Sequence, residues 1–366
     1  MQPDRKQAVD MVRTVALIGI AVVNLPIMAL PPEAMLSLPT YPPDRVAVLL
    51  VEGLFQAKFF LLFSFIFGWG MEIQTLSAQR VGASFARRFS RRLMMLALFG
   101  ALHAVLVFNG DILVLYALLG LAAWMLKETS IRNLMIIAAG LIPVAILCLA
   151  LLAILLADFP LPTAGPTLGG NYAETVLARW RDWPETFVFL LLFQGHLALA
   201  AFLVGMAAAR SGFFEPGNPG AVKLKSRVPM LLGLGLLVNG GYVLGSLGSE
   251  VNPVFHLLRF CCLALGGPVL SAAYLGMALH LSEVIQLPDW GRLAGRNSLS
   301  CYVLQGVLAG LILGGYGLGL FGNLGQMTLL PISLAIALVS MIMVAAFARR
   351  FGRGPLEAVL RRVTYG

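Results

Sequence analysis

The sequence predicts an all-α integral membrane protein of about ten spanning helices, with both termini in the cytoplasm. Three observations predict it. The chain is 59% hydrophobic and only 12% charged, about half the charged fraction of a soluble domain. Its apolar residues form long continuous runs, near 12–30, 46–72, 92–109, 112–127, 133–157, 186–209, 228–247, 254–282, 297–316 and 327–348. Its basic residues crowd into alternate connections between those runs.

A spanning helix needs roughly 20 apolar residues, and most of the runs reach that length. The fourth is short, and the second and eighth are long. Lipid offers no hydrogen bonds to an open backbone, so only helices or closed barrels cross it. Barrel strands would alternate and be half as long. With the N-terminus inside, the cytoplasmic segments carry Arg5, Lys6, Arg80, Arg87, Arg88, Arg91 and Arg92, and the later basic loops through Arg361 and Arg362. The outer segments carry only Arg45, Arg179 and Arg181. That asymmetry sets the orientation and favours an even number of crossings. The location it implies is a bacterial cytoplasmic (inner) membrane. Residues 1–366 read as one polytopic domain.

The first run is preceded by Arg5 and Lys6 but has no small-residue cleavage pattern, and Arg13 lies within it. It is read as a retained helix, not a signal peptide. The Pro- and Gly-rich stretches 31–45 and 158–185 read as outer loops. Residues 355–366 place Leu356, Val359, Leu360 and Val363 on one face beside Arg361 and Arg362, the pattern of a short interfacial helix on the cytoplasmic surface. Gly241-x-x-x-Gly245 and Gly310-x-x-x-Gly314 suit close helix packing. The net charge of +9 is accounted for by topology, so nucleic-acid binding is not expected. Cys148, Cys261, Cys262 and Cys301 lie in apolar runs without metal or disulfide spacing. No metal site and no P-loop, nucleophile elbow or dinucleotide fingerprint is present.

Ionisable groups inside spans are costly and mark candidate function. Asp10 and Arg13 are three apart and share a face at the cytoplasmic start of the first helix. They read either as a local salt bridge or as an anion site. Asn24 lies about 16 Å further in, at 1.5 Å per residue. Glu52 and Lys58 are six apart, do not pair with each other along a helix, and need partners elsewhere. His103 sits in the outer half of the third run and is a candidate general base. Asp111, eight residues on, would fix its tautomer only if the chain bends back. Otherwise the two stand roughly 12 Å apart along an axis. His196 enters the sixth run at a similar depth. His103 alone reads equally well as a structural hydrogen-bonding group, and His196 alone reads more readily as one.

The order Ala8-Val9-Asp10-Met11-Val12-Arg13, then Ala16, Gly19 and Asn24, resembles the opening of the YeiB-like family of bacterial multi-pass membrane proteins. The segments 58–70, 91–121, 202–214, 291–305, 315–322 and 354–366 resemble the family's later blocks. One departure is Thr14, where the family has glycine. The family is a domain of unknown function that looks distantly similar to transmembrane acyltransferases. What the resemblance implies is transfer of an acyl group from cytoplasmic acyl-CoA, acetyl-CoA among them, to an extracytoplasmic hydroxyl or amine. Similar acyltransferases carry a catalytic histidine eleven residues after the first-helix arginine, where this chain has Asn24. His103 is then the expected base, with Asp111, and Asp10, Arg13, Asn24, Glu52, Lys58, His196 and Gln305 are expected to bind substrate or donor. The expected partners are membrane lipids, an acyl donor, an acceptor and, in a homo-oligomer, further copies of the chain. Two alternatives remain open. One is a transporter or flippase of a small or lipid-linked molecule using the same intramembrane polar residues. The other is a non-enzymatic member of an envelope complex.

Overall fold

A computed structural model describes residues 3–31, 34, 35, 38–158, 168–248 and 253–366. The regular elements among the described residues are all helical, with no strand. The helices are α1 (Pro3–Ala29), α2 (Pro42–Leu54), α3 (Lys58–Arg80), α4 (Phe85–Leu106), α5 (Leu113–Met125), α6 (Ile131–Asp158), α7 (Tyr172–Leu190) and α8 (His196–Arg210). They continue with α9 (Pro219–Ser226), α10 (Val228–Gly248), α11 (Pro253–Val284), α12 (Asp289–Arg296), α13 (Ser298–Leu313), α14 (Gln326–Phe351) and α15 (Pro355–Tyr365). Eight helical stretches among the described residues are long and apolar enough to cross a membrane. The fourth and ninth apolar runs form shorter helices, α5 and α13. The protein is an all-α, multi-pass membrane protein. Its bundle exposes large apolar side chains such as Met125, Leu147 and Leu237 around the outside, a surface suited to lipid and not to water.

Two runs are divided in ways their hydropathy conceals. The second run belongs to a 39-residue helical stretch, Pro42–Arg80. At 1.5 Å per residue it would measure about 58 Å, nearly twice the apolar thickness of a bilayer. It is broken at Ala57, the one non-glycine residue with positive φ (69°) among those described. Helix α3 descends through the bundle. Helix α2 instead lies across one end of it. At its start Asp44 accepts the Met327 amide of α14 at 2.8 Å, and near its end Gly53 faces Val243 of α10. The stretch Tyr172–Arg210 is equally long. A π-helical segment, Leu191–Gly195, joins α7 to α8. Helix α7 holds Glu174, Arg179, Arg181, Asp182 and Glu185, so it is the part at the membrane surface. The outer loop expected over 158–185 is therefore helical from Tyr172. Asn171 caps it, exchanging hydrogen bonds with Glu174 in a capping box. Residues 159–167 of that loop lie outside the described residues, as do 32, 33, 36 and 37 of the other.

Helix α1 runs through the middle, packed against α3, α11, α12, α13 and α14. Helices α3 and α8 approach closely because Gly68 and Gly205 face each other's backbone. A Cβ on Gly205 would meet the Trp69 amide at 2.8 Å. Between α10 and α11, Gly245 faces the Phe255 carbonyl and Gly241 the Cys262 side chain. Gly310 and Gly314 instead lie under Tyr316 in the turn after α13.

Hydrogen bonds and ion pairs tie the helix ends into two opposite sets. At the basic end Gln7 donates to the Ser282 and Ile285 carbonyls at 3.0 Å. There Arg210 pairs with Glu72 at 3.0 Å and also donates to the Thr129 carbonyl, and Lys225 pairs with Glu283. At the other end the Gly322 amide donates to the Ala29 carbonyl at 2.8 Å. The Gly315 amide donates to the Leu168 carbonyl there at 2.6 Å. The first set lies at the arginine-rich end, the end that the charge asymmetry of the sequence predicts to be cytoplasmic. Helix α15 packs on α4 and α13. Glu357 accepts from the Leu299 and Ser300 amides at 2.9 and 3.1 Å. Its expected single apolar face is split: Leu360 is buried in protein, while Val359 and Val363 are exposed.

Candidate active site

His103 lies in the last turn of α4. The helix ends there because the chain turns: the amides of Val107 and Phe108 both donate to the His103 carbonyl at 2.8 Å. The turn brings Asp111 back against the helix it has just left. Gly100 makes room, since a Cβ there would stand 2.6 Å from the Val114 amide and 2.9 Å from Asp111 Oδ1. Asp111 Oδ2 then sits 2.7 Å from His103 Nδ1. Its Oδ1 accepts the Leu113 amide at 2.7 Å, and the Tyr302 hydroxyl donates to Oδ2 at 3.2 Å. The Leu113 amide and the Tyr302 hydroxyl both donate to this carboxylate, and a carboxylate that only accepts places the His103 proton on Nδ1. A neutral ring therefore carries its lone pair on Nε2.

Nε2 is buried and has no hydrogen-bond partner among the described residues. It faces a cavity of about 20 Å³ whose walls include Asn24, Tyr302, Gln305, Gly306 and Ser333, space for a water-sized group. Four helices meet there: α1, α4, α13 and α14. Gly306 is essential to the opening, because a Cβ on it would come within 2.7 Å of Nε2. Gln305 Nε2 donates to the Leu17 carbonyl at 3.3 Å. Asn24 makes no hydrogen bond among the described residues and lines the cavity. The sequence reading named Gln305 but missed Tyr302 and Gly306. Tyr302 is three residues before Gln305, one helical turn away on the same face, and that spacing was the available signal.

The other predicted residues fall elsewhere. Asp10 does not pair with Arg13; its partner is Arg296, at 2.8 Å. Arg13 lies within electrostatic range of Glu357 and of Arg92. Arg92 Nε is buried without a partner among the described residues. Thr14 donates to the Gly291 carbonyl at 2.9 Å and ties α1 to α12. Glu52 pairs with Arg259 and accepts from Ser246 at 2.6 Å. Fully buried Lys58 donates to the Glu52 carbonyl at 3.1 Å, across the Ala57 break. Glu52 and Lys58 thus form a separate cluster that stabilises the broken helix. His196 does not join His103 either. Its Nε2 lies 3.8 Å from Cys148 Sγ on α6.

With this geometry in view, the chain can be compared with known proteins. Residues 208–366 match the family described as "Protein of unknown function (DUF418)". Uncharacterized protein YeiB of Escherichia coli (strain K12) is 27% identical over 395 residues, covering 99% of this chain and 96% of YeiB. The similarity to YeiB extends over 99% of this chain. Uncharacterized protein YxaH of Bacillus subtilis (strain 168) is likewise 27% identical, over 403 residues, covering 99% of this chain and 94% of that relative. No solved structure matches. The DUF418 match contains the α13 and α14 walls of the cavity. The full-length YeiB-like relatives also span Asn24, His103 and Asp111.

Proposed function

We propose that this YeiB-like protein is an acyl-CoA-dependent transmembrane acyltransferase that modifies a hydroxyl or amine on the extracytoplasmic side. The observation that carries this reading is the His103–Asp111 pair. It holds a buried imidazole with one nitrogen fixed and the other turned, unpartnered, into a cavity. A carboxylate that holds the imidazole tautomer is what a general base at this position requires. In the reaction, Nε2 takes the proton of the acceptor hydroxyl or amine as that atom attacks the thioester carbonyl carbon. The carbon–sulfur bond breaks as the tetrahedral intermediate collapses. The departing thiolate takes the proton from Nε2, leaving acylated acceptor and free thiol. The side-chain amides of Asn24 and Gln305 border the cavity and would donate to the developing oxyanion.

The donor would enter from the basic end. Arg13 and Arg92 are neighbours there, each eleven residues, or about 16 Å, from Asn24 and His103 respectively. Arg92 Nε has no partner among the described residues, which fits a phosphorylated ligand. The pantetheine arm would follow α1 and α4 to the cavity, widening it by moving side chains.

The test uses purified protein in uncharged detergent. Acetyl-CoA and a longer acyl-CoA should bind in calorimetry, at least tenfold more weakly to Arg13→Ala and Arg92→Ala. His103→Gln should keep donor binding and lose acyl transfer. Full transfer by both His103→Gln and His103→Ala, or no donor binding by folded protein, would overturn the proposal.

A further inference from the structure

Beside the His103 cavity, towards the membrane surface, lies a second one of about 30 Å³. Met28 and Phe108 border both, so two side chains separate them. Arg179 of α7 lines the second cavity together with Asn109. Arg179 is 2% exposed. Its Nη1 donates to the Leu106 carbonyl at 3.0 Å, where the α4 helix ends, and Tyr172 Oη donates to the same oxygen at 3.1 Å. Its Nη2 is buried with no partner, and no carboxylate pairs with the guanidinium among the described residues.

A helix C-terminus stabilises a cation, which accounts for Nη1 but leaves Nη2 unused. Burying a guanidinium is costly unless an anion and full hydrogen bonding offset it. Arg210, Arg259 and Arg296 each meet a carboxylate; Arg92 and Arg179 each keep a buried nitrogen without a partner among the described residues. Arg179 meets a cavity instead. A guanidinium presents paired N–H groups in the plane that suits a carboxylate or phosphate. Leu106, which anchors it, is three residues from His103, about one helical turn.

We infer that the Arg179 cavity binds a carboxylate or phosphate group of the extracytoplasmic acceptor, placing its hydroxyl or amine beyond Met28 and Phe108 at His103. That the anion belongs to an acceptor rests on the acyltransferase reading; that the cavity takes an anion does not. The acceptor class is an anionic hydroxyl or amino compound, either a soluble phosphate or carboxylate or an anionic lipid headgroup.

The full chain is tested in uncharged detergent with inorganic phosphate and glycerol 3-phosphate, and in nanodiscs of phosphatidylcholine with or without phosphatidylglycerol. Thermal shift and calorimetry are read at constant ionic strength. Saturable binding to the wild type, at least tenfold weaker in Arg179→Gln and partly retained in Arg179→Lys, is the expected result. A response to the soluble phosphates identifies a soluble acceptor, and a response to phosphatidylglycerol alone identifies a lipid. No saturable response of the wild type to any probe overturns the inference, whatever the variants do. An equal response in Arg179→Gln also overturns it. Loss of transfer in His103→Gln is scored separately: anion binding with no acyl transfer by the wild type leaves the Arg179 site standing and removes the acyltransferase reading.

Discussion

Asp111→Asn tests the centre of the proposed chemistry without knowledge of the substrate. Asp111 is 1% exposed and accepts from His103 Nδ1, Leu113 N and Tyr302 Oη at 2.7, 2.7 and 3.2 Å. Asparagine keeps one oxygen and replaces the other with an amide nitrogen. If the oxygen stays on the Leu113 amide, the new N–H₂ points at Nδ1. Two donors then face each other, and the imidazole resolves the conflict by moving its proton to Nε2. The cavity would then be met by an N–H where it had a lone pair. Losing a hydrogen bond to a charged group costs roughly 1.5–3 kcal/mol. The Tyr302 hydroxyl can rotate to recover part of its share, so a net destabilisation of about 2 kcal/mol is expected. The chain has four histidines, so ¹⁵N-histidine labelling with His103→Gln as the assignment control reads the tautomer directly. The wild type should show Nδ1 protonated, and Asp111→Asn should show Nε2 protonated. Where a transfer assay exists, the loss should be on the order of 10⁴-fold, as for the same change in a Ser-His-Asp triad. A wild-type tautomer in Asp111→Asn with unchanged stability would refute the reasoning.

Gly306→Ala places a methyl 2.7 Å from His103 Nε2 and 2.9 Å from Val107 Cγ1. The ring is held by Asp111, so overpacking of about 1–3 kcal/mol and loss of acyl transfer with donor binding retained are expected. Normal transfer by this variant would mean that the cavity is not the reaction site. Glu52→Gln leaves the half-buried Arg259 without its carboxylate. It should destabilise the protein by about 3 kcal/mol in chemical denaturation, and adding Arg259→Met should recover part of that. A Glu52→Gln protein as stable as wild type would remove the structural role assigned to the cluster. In a Cys-free background, a cysteine at Asn218 should label only from the cytoplasmic side and one at Tyr172 only from outside; the reverse pattern would invert the orientation.

The class of fold was legible from solvent physics alone. A chain this apolar, broken into runs of bilayer length, has no stable arrangement in water, and its arginines mark one face. The second run shows what hydropathy conceals. Its apolar sequence continues through Ala57, and only the contacts of α2 with α10 and α14 reveal that it lies across the bundle. The site was legible to the extent that single residues reveal cost. His103 and Asp111 stood out because ionisable groups in spans are expensive. Their pairing depended on a turn after α4 and on the space left by Gly100. Asp10 and Arg13 failed as a pair for the converse reason. Three-residue spacing permits contact, but Arg296 on α12 reached the carboxylate first, a competitor nearly 300 positions away. Tyr302, Gly306 and Arg179 carried weak signals because their roles arise from what faces them across a helix interface.

Sequence by itself thus determined the solvent, the secondary structure, the bias that orients the bundle and the short roll of costly polar groups. These follow from composition and from interactions within one or two helical turns. Only the tertiary structure decided which costly groups meet, which are satisfied by carboxylates and which face cavities, because partner choice is set by packing between helices far apart in the chain.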